Sequence, residues 1–306
     1  MAKPFIKWVG GKTQLLSQLD LILPDNLLQA DGFTYMEPFV GGGAMLFHML
    51  QRYPNMGMAV INDINPDLIN AYRTLREHPE MLIAELRRFQ TDFRNLPGEE
   101  ARKEFFLEVR RVYNDGAGDE ILRTAMFMFL NRTCFNGLYR VNSRGQFNVP
   151  FGKYVNPTIC DEELLMEDSA LLQNVRIYCG DYALMERYVD DNTFIYFDPP
   201  YRPISTTSSF TSYSKDGFDD NDQIRLARFF RLMSQRGCRM MLSNSCSGRP
   251  DDNFFEELYG GFTIARVDAR RFINSNPAKR GQMNEIVIRN YAVGNLNQRN
   301  ELQLAI

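Results

Sequence analysis

Histidine is scarce in this chain and its cysteines are unpaired. Only two histidines and five cysteines occur in 306 residues. The cysteines lie far apart and form no Cys-x-x-Cys motif, at Cys134, Cys160, Cys179, Cys238 and Cys246. This pattern argues against a Cys/His zinc site, and we predict no metal. It is typical of buried thiols in a reducing compartment.

Long apolar runs are also absent. No run approaches the ~20 residues that span a bilayer. The residues from Met1 to Phe5 lead directly into a motif, which leaves no room for a signal peptide. With 44% hydrophobic and 24% charged residues, the composition is that of a soluble globular protein. We therefore expect a cytoplasmic protein with no membrane partner.

Acidic side chains are missing from one long stretch. The net charge is −3, yet residues 121–160 contain no Asp or Glu. The same stretch contains the basic residues Arg123, Arg132, Arg140, Arg144 and Lys153. A solvated basic loop would explain this pattern, and a surface that faces nucleic-acid phosphates is the alternative.

Hydrophobic periodicity predicts an α/β fold with an all-helical block inside it. The predicted strands cover residues 33–37, 58–62, 175–179, 193–197, 239–243 and 285–289. The predicted helices cover 44–52, 66–77, 80–93, 99–114, 119–130 and 222–235. Residues 137–150 predict a β-hairpin with its turn at 142–145. We therefore expect one domain from residues 1–65 and 158–306, with a second domain inserted at 66–157.

One apolar run, residues 193–197, ends abruptly in Asp198-Pro199-Pro200-Tyr201. The prolines have no backbone N–H, so the neighbouring carbonyls meet no competing donor. Asp198 and the Pro199 carbonyl can then both accept from one exocyclic amino group while Tyr201 stacks on its ring. This arrangement suits an amino-heterocycle such as adenine, although a proline-rich turn that caps a buried strand has the same sequence pattern.

A glycine turn follows the first predicted strand, in the segment EPFVGGG at 37–43. Three glycines before a helix allow a ligand to approach the backbone at the positive end of that helix. Asp63 ends the next predicted strand, 22 residues after Gly41. An acid at this spacing can bind the ribose hydroxyls of a nucleoside cofactor. A tight structural turn is the simpler explanation of the glycines alone.

Two further segments combine polar and aromatic residues. Trp8-Val9-Gly10-Gly11-Lys12-Thr13 ends like a nucleotide-binding P-loop, but Ile6 stands where that motif requires glycine. A Gly-Gly turn between tryptophan and lysine instead suits a carboxylate and an adenine-like ring. Asp181, after the strand at 175–179, can accept from an adenine amino group or simply cap the following helix.

Together these segments resemble the Dam-type DNA adenine-N6 methyltransferases, in particular the DpnM-like members. The resemblance extends along nearly the whole chain and includes FIKWVGGK (5–12), EPFVGGG (37–43), NDIN (62–65), NGLYR (136–140), FNVPFG (147–152), DPPY (198–201) and SFTSY (209–213). It implies a Rossmann-like S-adenosylmethionine-dependent methyltransferase sheet with an inserted helical target-recognition domain that carries a hairpin. It also implies direct methyl transfer from S-adenosyl-L-methionine to adenine N6, without a metal.

The resemblance implies a role for particular residues. Catalysis would fall to Asp198, Pro199, Pro200 and Tyr201. The cofactor would contact Trp8, Gly10, Lys12, Glu37, Pro38, Phe39, Gly41, Gly42, Gly43, Asp63, Asp181, Tyr182 and Asp198. Among these, Asp63 would bind the ribose and Asp181 the cofactor adenine.

The substrate implied is double-stranded DNA with the target base flipped out, which costs a few kcal/mol. DNA would contact Arg132, Phe135, Asn136, Leu138, Arg140, Asn148, Pro150, Lys153 and Tyr154. Arg140 would read guanine, and the match of the hairpin favours GATC as the site. The loop at 205–213 would close over the flipped base. A monomer, or at most a weak dimer associated with the nucleoid, is expected.

Four alternatives stay open at this point. An N4-cytosine methyltransferase would also present acceptors to an amino group. RNA or a small molecule could be the substrate, since charge alone does not separate DNA from RNA. Two alternatives are not methyltransferases: a DNA-binding protein without catalysis and a P-loop ATPase. The sequence does not distinguish a restriction–modification enzyme from a housekeeping or phage one.

Overall fold

A mixed sheet of seven strands, in the order β3-β2-β1-β4-β5-β7-β6, forms the centre of the computed structural model. The model describes residues 2–27, 29, 32–202, 218–245, 252–270 and 282–294. The strands are β1 (Thr34–Glu37), β2 (Met58–Asp63), β3 (Val175–Cys179), β4 (Thr193–Phe197), β5 (Arg239–Ser245), β6 (Thr263–Arg270) and β7 (Gln282–Arg289). Strands β1 to β5 pair in parallel, whereas β7 is antiparallel to both β5 and β6.

The helices follow the strands in α/β alternation, except for one long helical block. They are α1 (Leu16–Asp20), α2 (Ala44–Arg52), α3 (Pro66–Glu77), α4 (Pro79–Asn95), α5 (Gly98–Asn114), α6 (Glu120–Thr133), α7 (Glu162–Leu172), α8 (Asp220–Gln235) and α9 (Phe254–Leu258). Short 3-10 helices cover Phe135–Gly137 and Tyr182–Tyr188. None of the helices in the described ranges is both long and apolar enough to cross a bilayer.

Strand β4 lies at the centre of the sheet and is buried along its whole length. Its side chains alternate between the two faces, as a pleated strand requires. Phe194 and Tyr196 enter the core that faces α2 and α3, whereas Ile195 and Phe197 enter the core beneath α8. Both faces are covered, which explains why the strand reads as a continuous apolar run. The predicted α/β fold class is confirmed.

The helical block packs around α6, whose residues from Thr124 to Leu130 are all buried. Phe89 stacks on Phe129 with ring centroids 5.2 Å apart, and the α4 residue Phe93 contacts the same ring. Helix α3 contacts β2 and β3 as well as α6. One continuous apolar core therefore joins the block to the sheet. The division at residues 66 and 157 stays a prediction.

The predicted hairpin is present, but as a loop rather than as two strands. Its arms meet at the isolated antiparallel bridge between Val141 and Phe147, and Asn142 N–H donates to the Gln146 carbonyl at 2.9 Å. The Phe147 N–H and carbonyl both bond to the side chain of Asn114 on α5, at 2.8 and 3.0 Å. These two groups of Phe147 point away from the opposite arm, whereas Asn148 N–H donates to the Arg140 carbonyl of that arm at 3.1 Å, so Asn114 anchors the outer edge of the hairpin to α5.

Sequence periodicity missed four elements: α1, α7, α9 and β6. Helix α7 does carry a start signal, since the Asp161 side chain accepts from Leu164 N–H and two glutamates follow it. Strand β6 is an edge strand of the sheet.

Candidate active site

Acidic side chains collect at one edge of the sheet. Glu37, Asp63 and Asp198 stand at or just after the carboxyl ends of β1, β2 and β4, and Asp181 follows β3. Since these strands are parallel neighbours, their ends open into one crevice, where ligands of such sheets bind. The residues predicted from separate parts of the sequence therefore share one edge of the sheet.

Asp198 forms an ion pair with Lys12 that the sequence did not indicate. Lys12 Nζ lies 2.8 Å from Asp198 Oδ1 and donates to the Gly10 carbonyl at 2.8 Å. The lysine side chain is only 3% exposed, compared with 19% for Asp198. Burial raises the pKa of Asp198 to about 6, and Lys12 opposes that rise. Asp198 is therefore a hydrogen-bond acceptor at neutral pH, with one oxygen engaged by the lysine.

The ring of Tyr201 lies beside this ion pair. Lys12 Nζ is 4.5 Å from the ring centroid, within the range of a cation–π contact. The tyrosine hydroxyl donates to Glu285 Oε2 on β7 at 2.8 Å. Burial, and next the charge of Asp198, raise the pKa of Tyr201 well above its ordinary value. The phenol therefore stays protonated and remains a donor. Glu285 was not found from the sequence, because its partner is 84 residues away.

A polar network holds the backbone that follows Asp198. Gln223 on α8 donates to the Pro200 carbonyl at 3.0 Å, and Asn244 on β5 donates to Gln223 at 3.2 Å. The Arg202 guanidinium bonds to Asp220 and Asp252 and lies 4.0 Å from the Phe254 ring centroid. The acceptor geometry at Asp198 thus rests on a turn that is fixed from several elements.

The glycine turn and Asp63 are in direct contact. Gly41 N–H donates to Asp63 Oδ2 at 3.1 Å, and Asn65 N–H donates to Oδ1 at 3.0 Å. Burial raises the pKa of Asp63, and these backbone donors oppose it. The glycine turn and the acid that follows the next strand are therefore in contact, and the predicted binding of a ribose by Asp63 stays a prediction.

Neighbouring side chains leave no room for a Cβ atom at two glycines of this turn. Gly43 has φ +78°, and a Cβ there would lie 2.4 Å from the Tyr72 hydroxyl. A Cβ on Gly41 would lie 2.9 Å from Trp8 Cδ1. Gly10 has φ +84°, and the position of its missing Cβ has nothing within 4 Å. The turn is thus packed on the protein side, while Gly10 faces open space.

Aromatic and apolar side chains line the crevice next to Asp63 and Asp181. Phe39 and Tyr182 have ring centroids 5.2 Å apart. Ile64, directly after Asp63, is 62% exposed, which is unusual for isoleucine. The sequence motifs did not single out this residue. Asp181 caps the following 3-10 helix and pairs with Arg225 at 2.7 Å, and this hydrogen bond is the main reason that its pKa is lowered.

Glu37 differs from the other acids because its side chain lies beneath the turn. It is 2% exposed and accepts from the Tyr35 hydroxyl at 2.8 Å. Burial raises its pKa well above the ordinary value. In this position Glu37 supports the turn from below. The carbonyl of the next residue, Pro38, accepts from the Asn62 side chain at 3.1 Å.

Trp8 connects the crevice to the hairpin loop. Its ring stacks on Tyr139, with centroids 5.3 Å apart and an interplanar angle of 25°. The Asn131 amide on α6 bonds to both the N–H and the carbonyl of Lys7, at 3.0 and 2.8 Å. The amino-terminal segment is therefore fixed against the helical block as well as against the crevice.

The predicted DNA-binding residues lie on and around the hairpin loop, on a surface of mixed character. Phe135 is 50% exposed, and Asn136 adopts a left-handed conformation with φ 56°. Arg140 is exposed and donates to the Asn148 side chain at 2.7 Å. Leu138 is half-buried and Pro150 is exposed. This surface therefore presents an exposed aromatic ring, that of Phe135, and a guanidinium held in place by a neighbour.

Not every predicted cation is free. Lys153 pairs with Glu99 at 2.8 Å. Arg132 donates to the Phe5 carbonyl at 2.6 Å, and burial lowers its pKa. It also lines a cavity of about 180 Å³ together with Lys7, Tyr154, Pro157 and Thr158. The predicted loop at 205–213 lies outside the described residues.

The family model for D12 class N6 adenine-specific DNA methyltransferases matches residues 8–273. The chain belongs to this family. It is 50% identical over 292 residues to the type II methyltransferase M.MjaIII of Methanocaldococcus jannaschii, covering 94% of this chain and 99% of that one.

Other relatives of this methyltransferase are named DNA adenine methylases. One from Vibrio cholerae is 35% identical, covering 93% of this chain and 95% of that one. One from Escherichia coli K12 is 32% identical, covering 93% and 94%. The resemblance inferred from the motifs is confirmed at the level of the family. In the described ranges, no group of His, Cys, Asp and Glu side chains could hold a metal ion.

Proposed function

We propose that this methyltransferase transfers a methyl group from S-adenosyl-L-methionine to N6 of an adenine flipped out of duplex DNA, within GATC. The observation that carries the proposal is Asp198, an acceptor with a pKa of about 6, held by Lys12 beside the Tyr201 ring. An acceptor and a stacking face at one point suit the amino group and ring of adenine.

The crevice fits the cofactor. Gly10 faces open space, so a ligand can approach its backbone closely. Asp63 would accept from the ribose hydroxyls, with Ile64 and Phe39 against the adenine ring and Asp181 near its amino group. Trp8, Gly42 and Gly43 would enclose the remainder. The cofactor supplies a sulfonium whose methyl group is already activated.

Asp198 and its neighbours would make N6 reactive. The N6 lone pair is delocalised into the adenine ring, so the amino group is a poor nucleophile. Acceptance of its hydrogens by Asp198 and the Pro199 carbonyl favours a pyramidal nitrogen. Lys12 would hold one Asp198 oxygen and Tyr201 would stack on the base, so that alignment and electrostatics provide the rate acceleration.

The hairpin loop would bind the DNA. The exposed Phe135 would fill the space that the flipped base leaves, and Arg140 would read a guanine edge in the major groove. Leu138 and Pro150 would contact bases. Phosphates would be met by Arg132, Asn136, Asn148, Lys153 and Tyr154, once Lys153 exchanges Glu99 for a phosphate. We propose action as a monomer, or at most a weak dimer.

Methyl transfer from labelled S-adenosylmethionine to two duplexes tests the proposal. One duplex contains GATC, and the other contains the same bases in scrambled order. We expect N6-methyladenine only in the first. Label in both duplexes would contradict the specificity, and label on cytosine N4 would contradict the target base.

Asp198→Ala is the matched variant for the chemistry. It should abolish methyl transfer and leave cofactor affinity within a few-fold, because the ribose and adenine contacts lie elsewhere in the crevice. Equilibrium binding of the cofactor and the transfer rate are measured on the same preparation. Retention of most of the turnover would refute the role of Asp198.

A further inference from the structure

A carboxyl group buried next to Tyr201 has no role in the mechanism described so far. Glu285 lies on β7, opposite Ser245 of β5 and Val267 of β6. It is 9% exposed, and within the described ranges it forms no ion pair. Its hydrogen bond is from the Tyr201 hydroxyl, at 2.8 Å.

Placing a carboxyl here has a cost that packing alone would not justify. A buried carboxyl loses its hydration, and an apolar residue would fill the same position of a central strand more cheaply. The flanking β7 residues Ile286, Val287 and Ile288 are all buried and apolar. Glu285 is the exception, and its carboxyl contacts Tyr201, which the proposed mechanism uses for stacking.

The Tyr201 ring is held from two directions. Its hydroxyl end is bonded to Glu285, and one ring face meets the Lys12 ammonium at 4.5 Å from the centroid. The phenol remains a donor because burial raises its pKa well above the ordinary value. The phenol oxygen lies on the χ2 axis, so the Glu285 bond fixes the direction of the ring axis, while the Lys12 contact on one face restrains rotation about χ2.

We propose that Glu285 is a positioning residue that fixes the direction of the Tyr201 ring axis and so the place of the stacking face offered to the target base. This inference rests on the proposed function. Glu285 acts through Tyr201 and does not touch the substrate. It also lies near Asp198, so its substitution must be tested for orientation separately from charge.

The test compares single-turnover methyl transfer at saturating cofactor in Glu285→Ala, Glu285→Gln, Tyr201→Phe and the Glu285→Ala/Tyr201→Phe double variant. Misplacement of a stacking group lowers the rate, and we expect about 10- to 100-fold for Glu285→Ala. Glu285→Gln keeps an acceptor of the same shape and should stay within about threefold of the wild type, with cofactor affinity unchanged in both. Glu256→Ala on α9 is the matched control and should change nothing.

The double variant decides between a positioning and a merely structural role. If the Glu285 carboxyl acts through the Tyr201 hydroxyl, the double variant is no slower than the slower single variant. Multiplying effects would overturn the proposal, as would a Glu285→Gln variant as slow as Glu285→Ala. Should the alanine variant not fold, Glu285→Leu fills the same volume and takes its place in the cycle.

A measurement independent of activity separates this inference from the proposed function. With 3-fluorotyrosine at position 201, the fluorine resonance should move in the Glu285→Ala background and stay in place in Glu256→Ala. An unmoved resonance would overturn the positioning role. A moved resonance in a protein that methylates no DNA adenine would support the contact and refute the proposed function.

Discussion

Replacing Lys12 with methionine tests how the site keeps Asp198 ionised. The ammonium group lies 2.8 Å from Asp198 Oδ1, and the lysine side chain is 3% exposed, so water does not screen the pair strongly. The other groups that face Asp198 are Glu285, Glu37, Tyr35, Tyr196 and Tyr201, and Glu285 raises the pKa of Asp198 further. Lys12 is therefore the group that opposes them. Methionine keeps the apolar stem and removes the charge together with the hydrogen bonds that the ammonium donates to Asp198 and the Gly10 carbonyl.

The size of the effect follows from the charge that is lost. A cation next to a carboxyl lowers its pKa by about 1–3, so its removal raises the pKa of Asp198 by the same amount. The wild-type value is about 6, and half of the molecules are therefore ionised at pH 6. A rise of about 2 would leave roughly 1% ionised at that pH and slow methyl transfer about 50-fold. At about pH 9.5 the two enzymes should have similar rates, because Asp198 is ionised in both.

The assay is single-turnover methyl transfer at saturating cofactor and DNA, measured from pH 5 to 10. Since the ionised carboxylate is the stronger hydrogen-bond acceptor, the rate should fall as the pH drops through the pKa of Asp198. In the wild type this acid limb should lie at about pH 6, and in Lys12→Met it should move upward. Lys12→Arg retains the charge and serves as the control. An acid limb unchanged in Lys12→Met, or a loss equal at every pH, would refute the assignment.

Two further predictions concern recognition and stability. Arg140→Ala should cost about 1–3 kcal/mol in binding and relax specificity at one base pair, because its exposed guanidinium is held by Asn148 at 2.7 Å and remains available to a base edge. Binding to GATC and to its single-base variants is measured; Arg144→Ala at the loop tip is the control, and an equal loss on all sequences would make Arg140 a phosphate contact. Asp168 is 0% exposed; neither of its oxygens has a hydrogen bond of normal geometry, and burial raises its pKa to about 8 despite the nearby Lys3 backbone N–H. The folded state therefore binds this proton more tightly than the unfolded one, so stability falls as the pH rises from about 4 to 8, and Asp168→Asn should remove about 3 kcal/mol of that fall between pH 5 and 8 in denaturant titrations. A variant with the same pH dependence as the wild type would show that Asp168 does not titrate in this way.

Local sequence patterns carried much of the fold. The strands β3 and β4 occur at the residues that were predicted: β4 is buried along its whole length and reads as a continuous apolar run, whereas the edge strand β3 has exposed residues at Arg176 and Cys179. The hairpin was predicted from its turn residues, and that turn is present. Its packing could not be described in advance, because the Asn114 side chain that anchors the outer edge of the hairpin belongs to a distant helix.

The same division holds for the site. The contact between Gly41 and Asp63 was predictable, because both residues end or follow adjacent parallel strands and the spacing of 22 residues reflects that topology. The exposed Ile64 could have been noticed as an apolar residue directly after a strand-ending acid. Neither Lys12 nor Glu285 carries a local signal for its partner, since the hydrogen bond to Glu285 spans 84 residues.

By itself, the sequence determined most of the strands and helices and their order along the chain. It also determined the motifs at the strand ends and, through them, the family. These properties depend on side-chain period, turn chemistry and short spacings, which are all local along the chain. The tertiary structure alone decided which charged and polar side chains face one another. These pairs are Lys12 with Asp198, Glu285 with Tyr201, and Arg225 with Asp181. Electrostatic and hydrogen-bond energies depend on distance and burial in space, and folding brings together groups that the sequence keeps far apart.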